Sequence, residues 1–170
     1  MKTLVIHPLD NSTLFLSEIY NDKDWDVIDT NVSKKILKEE IKNHDRIIML
    51  GHGTEHGLIG FNHLIIDSTY VYLLRQKECI CIWCNANIFV EKYKLKGFYT
   101  GMIISECEEA LDYCINANQQ EINESNQLFS LALKNSIDNV DFLNEVKQFY
   151  TNKNNKVINF NSNNLFYKHG

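Results

Sequence analysis

His52 and Cys84 are the two residues of this sequence whose types and placement could carry out nucleophilic chemistry. The apolar run at residues 47–50 leads through one glycine to His52, and the apolar run at residues 80–83 leads directly to Cys84. A cysteine nucleophile reacts as the thiolate, and a nearby imidazole can take up the thiol proton and return it to a leaving group. The pair therefore predicts a cysteine nucleophile, Cys84, with His52 as its acid–base partner.

The two apolar runs have the character of buried strands that would deliver both side chains to one place. Short apolar runs bounded by turn residues are typical of the inner strands of a parallel sheet. In open α/β sheets, ligands bind at the carboxyl ends of the strands. We therefore expect His52 and Cys84 at the carboxyl edge of neighbouring strands. Gly53 keeps the backbone open to a substrate, and the N–H groups of Gly53 and Cys84 are candidate donors to an oxyanion.

The rest of the chain alternates between strand and helix signals. Strands are predicted at about residues 2–7, 25–29, 46–50, 79–83 and 97–105, and helices at about residues 14–20, 33–43, 68–76, 106–116, 125–136 and 141–151. Such alternation predicts βαβ units, hence one α/β domain over residues 1–170 with a mainly parallel sheet of about six strands and helices on both faces. Residues 51–60 are predicted to be a glycine-punctuated loop. The Asn-rich residues 152–170 are predicted to be a tail or an edge strand.

Composition excludes several classes of protein. The formal net charge is -5 and no cluster of Lys and Arg occurs, so we expect no nucleic-acid partner. No apolar run reaches the length of a membrane span, and the apolar run near the N-terminus is too short for a signal peptide. We therefore expect a cytoplasmic protein without membrane association. Nothing in the sequence specifies an oligomeric state.

The five cysteines are odd in number, which favours reduced thiols over a disulfide framework. Cys79 and Cys81 share one strand face by the period of two, so we expect them to pack in the core. Cys81 and Cys84 form a Cys-x-x-Cys pair, but an extended strand separates them too far to chelate easily and no second pair exists. We therefore expect no metal.

Five further residues at predicted strand ends or loops could line the site. His56 also precedes a glycine and is a rival base. Asp10 follows the first strand and could instead belong to a helix-capping turn. Ser105 and Glu106 would end the fifth strand at the same edge, where they either line the site or cap the next helix. Asn85 directly follows the predicted nucleophile.

The two motif blocks resemble those of the caspase–hemoglobinase class of cysteine peptidases, which includes caspases, legumains, clostripain, gingipains and separase. In that class one apolar strand ends in His-Gly, and the next strand in the sheet ends in the nucleophilic Cys. Residues 47–53 match the first block, residues 54–60 are similar to its continuation in caspases, and residues 80–84 match the second block. The separation of 32 residues between His52 and Cys84 resembles the short spacing of gingipains.

The sequence also departs from this pattern. Caspases carry a small residue before the Cys and a Gly two residues after it. Here Trp83 precedes Cys84, and Asn85 and Ala86 follow it. The motif match covers roughly a quarter of the chain.

The resemblance implies a three-layer caspase-like fold, related to the flavodoxin-like fold, and a cysteine peptidase that cleaves a peptide or protein without a cofactor. It also implies that the loop after the first strand helps to form the specificity pocket. Asp10 there, with Glu106, would favour Lys or Arg before the cleaved bond. Two alternatives remain: a catalytically inactive caspase-like module that binds a peptide or protein, and a doubly wound domain that binds a small ligand. The lack of a Gly-rich phosphate loop after the first strand disfavours a nucleotide.

Overall fold

The computed structural model describes residues 1–170 and contains nine strands. They are β1 (Thr3–Ile6), β2 (Asp26–Ile28), β3 (Arg46–Leu50), β4 (His52–Thr54), β5 (Gly57–Gly60), β6 (His63–Ile66), β7 (Glu78–Ile82), β8 (Lys96–Thr100) and β9 (Leu165–Lys168). Six of them form the central sheet in the order β2-β1-β3-β7-β8-β9, and β4, β5 and β6 form a separate sheet. All neighbours in the central sheet are parallel except β9, which runs antiparallel to β8. The predicted α/β class with a mainly parallel, six-stranded sheet is confirmed.

Helices cover both faces of the central sheet. They are α1 (Lys34–Asn43), α2 (Val71–Leu74), α3 (Ala86–Tyr93), α4 (Cys107–Asp112), α5 (Gln119–Ser136), α6 (Phe142–Phe149) and α7 (Lys156–Ser162), with short 3-10 helices at Leu14–Ile19 and Ser68–Tyr70. Ile47 and Met49 of β3 belong to a core that includes residues of α1, α2 and α3. Ile48 belongs to a second core with residues of α5 and α6. Alternate strand residues thus feed two cores, which gives three layers.

The segment predicted to be a loop at residues 51–60 is instead the start of the small antiparallel sheet. Its strands are only three or four residues long, so their alternation is too short to recognise from the sequence. Gly57 has a φ of +142°, and a Cβ there would lie 1.9 Å from the carbonyl oxygen of Ile66. The glycine that suggested a loop therefore permits close strand pairing.

The predicted fifth strand is shorter than expected, since β8 ends at Thr100. Beyond it, Ile104 pairs with a side chain instead of a strand. The Ile104 N–H donates to Oδ1 of Asn161 at 2.8 Å, and Nδ2 of Asn161 donates to the Ile104 carbonyl at 2.9 Å. Ser105 and Glu106 consequently follow a loop, not a strand end, which corrects the position expected for them.

Residues 152–170 contribute α7 and the edge strand β9. Asn155 of this segment has a structural role, because it caps α7 by accepting from the N–H groups of Val157 and Ile158.

None of the helices is both long enough and apolar enough to cross a membrane.

Candidate active site

His52 and Cys84 each lie two residues beyond the ends of adjacent parallel strands. In the register of β3 and β7, Leu50 is opposite Ile82. The pairing extends one residue further, because the Gly51 N–H donates to the Ile82 carbonyl at 3.1 Å. His52 and Cys84 line one small cavity of about 30 Å³. The structure thus brings these two side chains to the same edge of the sheet.

The Cys84 thiol is held on the side of the loop and helix that follow β8. Its Sγ donates to the Ile103 carbonyl at 3.5 Å and lies 3.9 Å from Oε2 of Glu109. Burial raises the pKa of the Cys84 thiol, and the Glu109 carboxylate raises it further, although the hydrogen bond to Ile103 opposes the shift. The thiol is therefore protonated in this resting arrangement.

The imidazole of His52 is half exposed and contacts the loop that follows β1. Its Nε2 lies 2.6 Å from Oγ of Ser12 and 3.5 Å from Oδ1 of Asp10. Oδ1 of Asp10 also accepts from the Ser12 N–H at 2.9 Å and from the Ser12 hydroxyl. These hydrogen bonds from Ser12, and then the contact with His52, lower the pKa of Asp10. Asp10 does not cap the following 3-10 helix, whose N-cap is Thr13.

Trp83 links the end of β7 to the small sheet that begins with His52. Its Nε1 donates to the Thr54 carbonyl at 3.0 Å, and the side chain is buried. A Cβ at Gly53 would lie 2.1 Å from Cδ1 of the indole, so only glycine fits against this ring. The large residue before Cys84 is thus accommodated by the absence of a side chain at Gly53.

The backbone N–H groups of Cys84 and Asn85 differ in whether they have an acceptor in the chain. Asn85 adopts the left-handed conformation with a φ of 66°, and its N–H donates to the Gly101 carbonyl at 3.2 Å. The N–H of Cys84 donates to no group of the chain. It therefore remains a candidate donor to an oxyanion, as the sequence suggested. Asn85 itself does not line the cavity.

The other predicted site residues are divided between the cavity and its surroundings. Ser105 lines the cavity, and its hydroxyl donates to Oε1 of Glu109 at 2.9 Å. Glu106 precedes α4 without capping it by a side-chain hydrogen bond and lines a larger neighbouring cleft. His56 is exposed in the turn between β4 and β5, pairs with Glu55 at 3.6 Å and lies outside the cavity.

Two residues of the site were not anticipated as such from the sequence. Ser12 lies in a polar run after β1, and its spacing of two from Asp10 was the available signal for a turn. Glu109 gave no signal, because its contact with Cys84 depends on how α4 packs beyond the end of β7.

The larger cleft has a volume of about 700 Å³ and shares Phe15 and Ser105 with the cavity. Its polar lining consists mainly of carboxamides and carboxylates, and no Lys or Arg lines it; these side chains are Asn11, Gln119, Asn123, Asn126, Gln127, Glu18, Glu106 and Glu108. Glu18 is already paired with Lys134 at 2.7 Å. Glu106 and Glu108 therefore carry the uncompensated charge of the cleft.

No group of three or more His, Cys, Asp or Glu side chains is placed to hold a metal ion.

Comparison with protein-family models, with curated proteins and with solved structures gives no significant match to this chain.

Proposed function

We propose that the protein is a cysteine peptidase with Cys84 as nucleophile and His52 as general acid and base. The observation that carries the proposal is that both residues follow the paired ends of β3 and β7 and line one cavity. The similarity of the two sequence blocks to caspase–hemoglobinase peptidases supports it. The N–H of Cys84 donates to no group of the chain and is the candidate donor to the oxyanion.

The reaction would proceed in two stages that balance without a metal or organic cofactor. His52 takes the thiol proton, and Sγ of Cys84 attacks the peptide carbonyl carbon, whose oxygen becomes an oxyanion facing the Cys84 N–H. Collapse breaks the C–N bond, and the leaving amine takes the proton from His52. His52 then deprotonates a water that attacks the thioester, which releases the acid and restores the thiol.

The resting structure requires the thiol to move before it can react. Sγ of Cys84 must leave Ile103 and Glu109 and turn toward His52. A cavity of about 30 Å³ is too small for a peptide carbonyl and its neighbours. The cleft of about 700 Å³ has the size of ordinary ligand pockets, and its carboxamides offer donors and acceptors to a peptide backbone. We therefore assign the cleft, which meets the cavity at Phe15 and Ser105, to the peptide, and the cavity to the two catalytic side chains.

A second candidate is a caspase-like module that binds a peptide or protein without cleaving it. The specific observation in its favour is that Sγ of Cys84 contacts the Ile103 carbonyl and the Glu109 carboxylate. Burial and the nearby carboxylate raise the pKa of the thiol, which favours its unreactive form. The cleft would serve such a module equally well.

A fluorogenic peptide library, incubated with the full chain, would test the proposal. We expect the wild-type chain to hydrolyse peptides and Cys84→Ala and His52→Gln to be inactive. Cys107→Ala should retain activity, because Cys107 lines the cleft but not the cavity. Mass spectrometry should locate a peptide chloromethyl ketone on Cys84. Hydrolysis that persists in Cys84→Ala would overturn the proposal. Peptide binding with no hydrolysis, and with no alkylation of Cys84, would overturn it in favour of the binding module.

A further inference from the structure

Ser12 bridges the imidazole of His52 and the carboxylate of Asp10. Oγ of Ser12 lies 2.6 Å from Nε2 of His52 and donates to Oδ1 of Asp10. The Ser12 N–H donates to the same carboxylate oxygen at 2.9 Å, and Nε2 of His52 is 3.5 Å from it. Both the imidazole nitrogen and the serine hydroxyl therefore face one ionised oxygen.

Counting protons across this bridge determines which nitrogen of His52 is protonated. An ionised carboxylate only accepts hydrogen bonds, and a serine hydroxyl has a single proton to donate. If that proton goes to Asp10, the serine oxygen can only accept from Nε2, which must then carry a proton. If the serine hydroxyl instead donated its proton to Nε2, the serine oxygen would face the carboxylate oxygen of Asp10 with no proton between them. The lowered pKa of Asp10 keeps the carboxylate ionised.

We propose that Ser12 and Asp10 are positioning residues that hold His52 with its proton on Nε2 and leave Nδ1 to exchange a proton with Cys84. The placement of the proton on Nε2 stands on the hydrogen bonds of Ser12 with an ionised Asp10, whereas the role of Nδ1 rests on the proposed peptidase function. The same assignment excludes Ser12 as a nucleophile, since a protonated Nε2 cannot accept the serine proton.

Nitrogen-15 NMR of the full chain with labelled histidine tests the protonation state directly. With His52 signals assigned by comparison with His52→Gln, we expect the neutral imidazole to carry its proton on Nε2 only. In Ser12→Ala the two ring nitrogen signals should move toward each other, because the ring then exchanges between both tautomers. Ser12→Thr retains the hydroxyl and should keep the single state. Ser17→Ala is the matched control, since the Ser17 hydroxyl lies in the same segment and donates only to the Leu14 carbonyl.

Peptide hydrolysis supplies the second readout. We expect Ser12→Ala to lower kcat on the order of tenfold to a hundredfold with little change in KM, because a misaligned acid–base group slows the chemical step and not binding. Ser12→Thr should restore most of kcat. A wild-type proton on Nδ1, or an unchanged single tautomer in Ser12→Ala, would overturn the positioning role. If the NMR result is as expected but no peptide is hydrolysed, Ser12 still holds the proton of His52 on Nε2, and the peptidase function is refuted.

Discussion

Glu109 lies beside the thiol of Cys84, with Oε2 3.9 Å from Sγ, while its Oε1 accepts from the N–H and hydroxyl of Ser105 at 3.0 and 2.9 Å. Two anchored hydrogen bonds therefore hold a carboxylate where it opposes ionisation of the thiol. If Cys84 is the nucleophile, as proposed, this carboxylate opposes formation of the reactive thiolate.

Replacing Glu109 by Gln should lower the pKa of the Cys84 thiol. The neutral amide keeps an oxygen for Ser105 but removes the negative charge that disfavours the thiolate. We expect the rate of alkylation of Cys84 by iodoacetamide at neutral pH to rise by a few fold. Mass spectrometry, repeated over a range of pH, would measure this rate. Glu108→Gln, next to it in α4 and without a contact to Cys84, is the control. An equal or slower rate in Glu109→Gln would show that the carboxylate does not restrain the thiol.

The stability of the protein should fall in mild acid partly through His7. Its Nδ1 lies 2.9 Å from the Tyr20 hydroxyl, and burial lowers its pKa from the ordinary 6.5 to about 4, against opposing effects of Thr13 and Asp29. His7 therefore binds a proton more readily in the unfolded chain than in the folded one. The free energy of unfolding should decrease as pH falls from 6.5 to about 4. The full decrease from His7 should be about 3 kcal/mol.

Urea unfolding at several pH values would measure this decrease. In His7→Gln the side chain does not titrate, so the variant should show a shallower decrease than the wild-type chain over the same range. Parallel curves for the two proteins would mean that His7 makes no contribution.

Gly53→Ala should destabilise the protein and slow any peptide hydrolysis. The new Cβ would meet the Trp83 indole at 2.1 Å and push apart the segments that carry His52 and Cys84. Overpacking of this kind costs about 1–3 kcal/mol. Chemical unfolding of Gly53→Ala, Trp83→Ala and the double variant would measure the coupling, and the double variant should be more stable than the sum of the single effects predicts. Additive effects would argue against a contact between these residues.

If the peptidase proposal holds, we expect a preference for Lys or Arg before the cleaved bond. Glu106 provides a negative charge in a cleft that has no Lys or Arg, whereas Asp10 is engaged with Ser12 and His52. Since Glu106 is exposed, Glu106→Gln should reduce kcat/KM for such substrates by only about fivefold and leave neutral substrates unchanged. Glu124→Gln, outside the cleft, is the control. A preference for an acidic or large apolar residue would refute the expectation.

Asp10→Ala separates the two roles considered for that residue. Its contacts place Asp10 next to the acid–base group, so we expect the variant to lower kcat for all substrates alike. A loss confined to Lys and Arg substrates would instead return Asp10 to the specificity pocket.

Much of the central sheet could be predicted from the sequence because it depends on local patterns. The strand predicted at residues 46–50 coincides with β3, and α1 begins after Ser33 as its capping signal indicates. Buried parallel strands produce continuous apolar runs, and helix ends have local hydrogen-bonding requirements, so both are visible over a few residues. The same patterns predicted that His52 and Cys84 lie at the carboxyl edge of the sheet.

The surroundings of those two side chains were decided by the tertiary structure alone. Ser12 contacts His52 from 40 positions away in the chain, and Glu109 contacts Cys84 from 25 positions away. The contact of Trp83 with Gly53 likewise joins the end of β7 to β4. Apolar periodicity specifies which face of an element is buried, but it carries no information on which polar side chain of a distant element will meet a given atom. Such contacts depend on the packing angles of whole helices and loops, and these arise only when the chain is assembled.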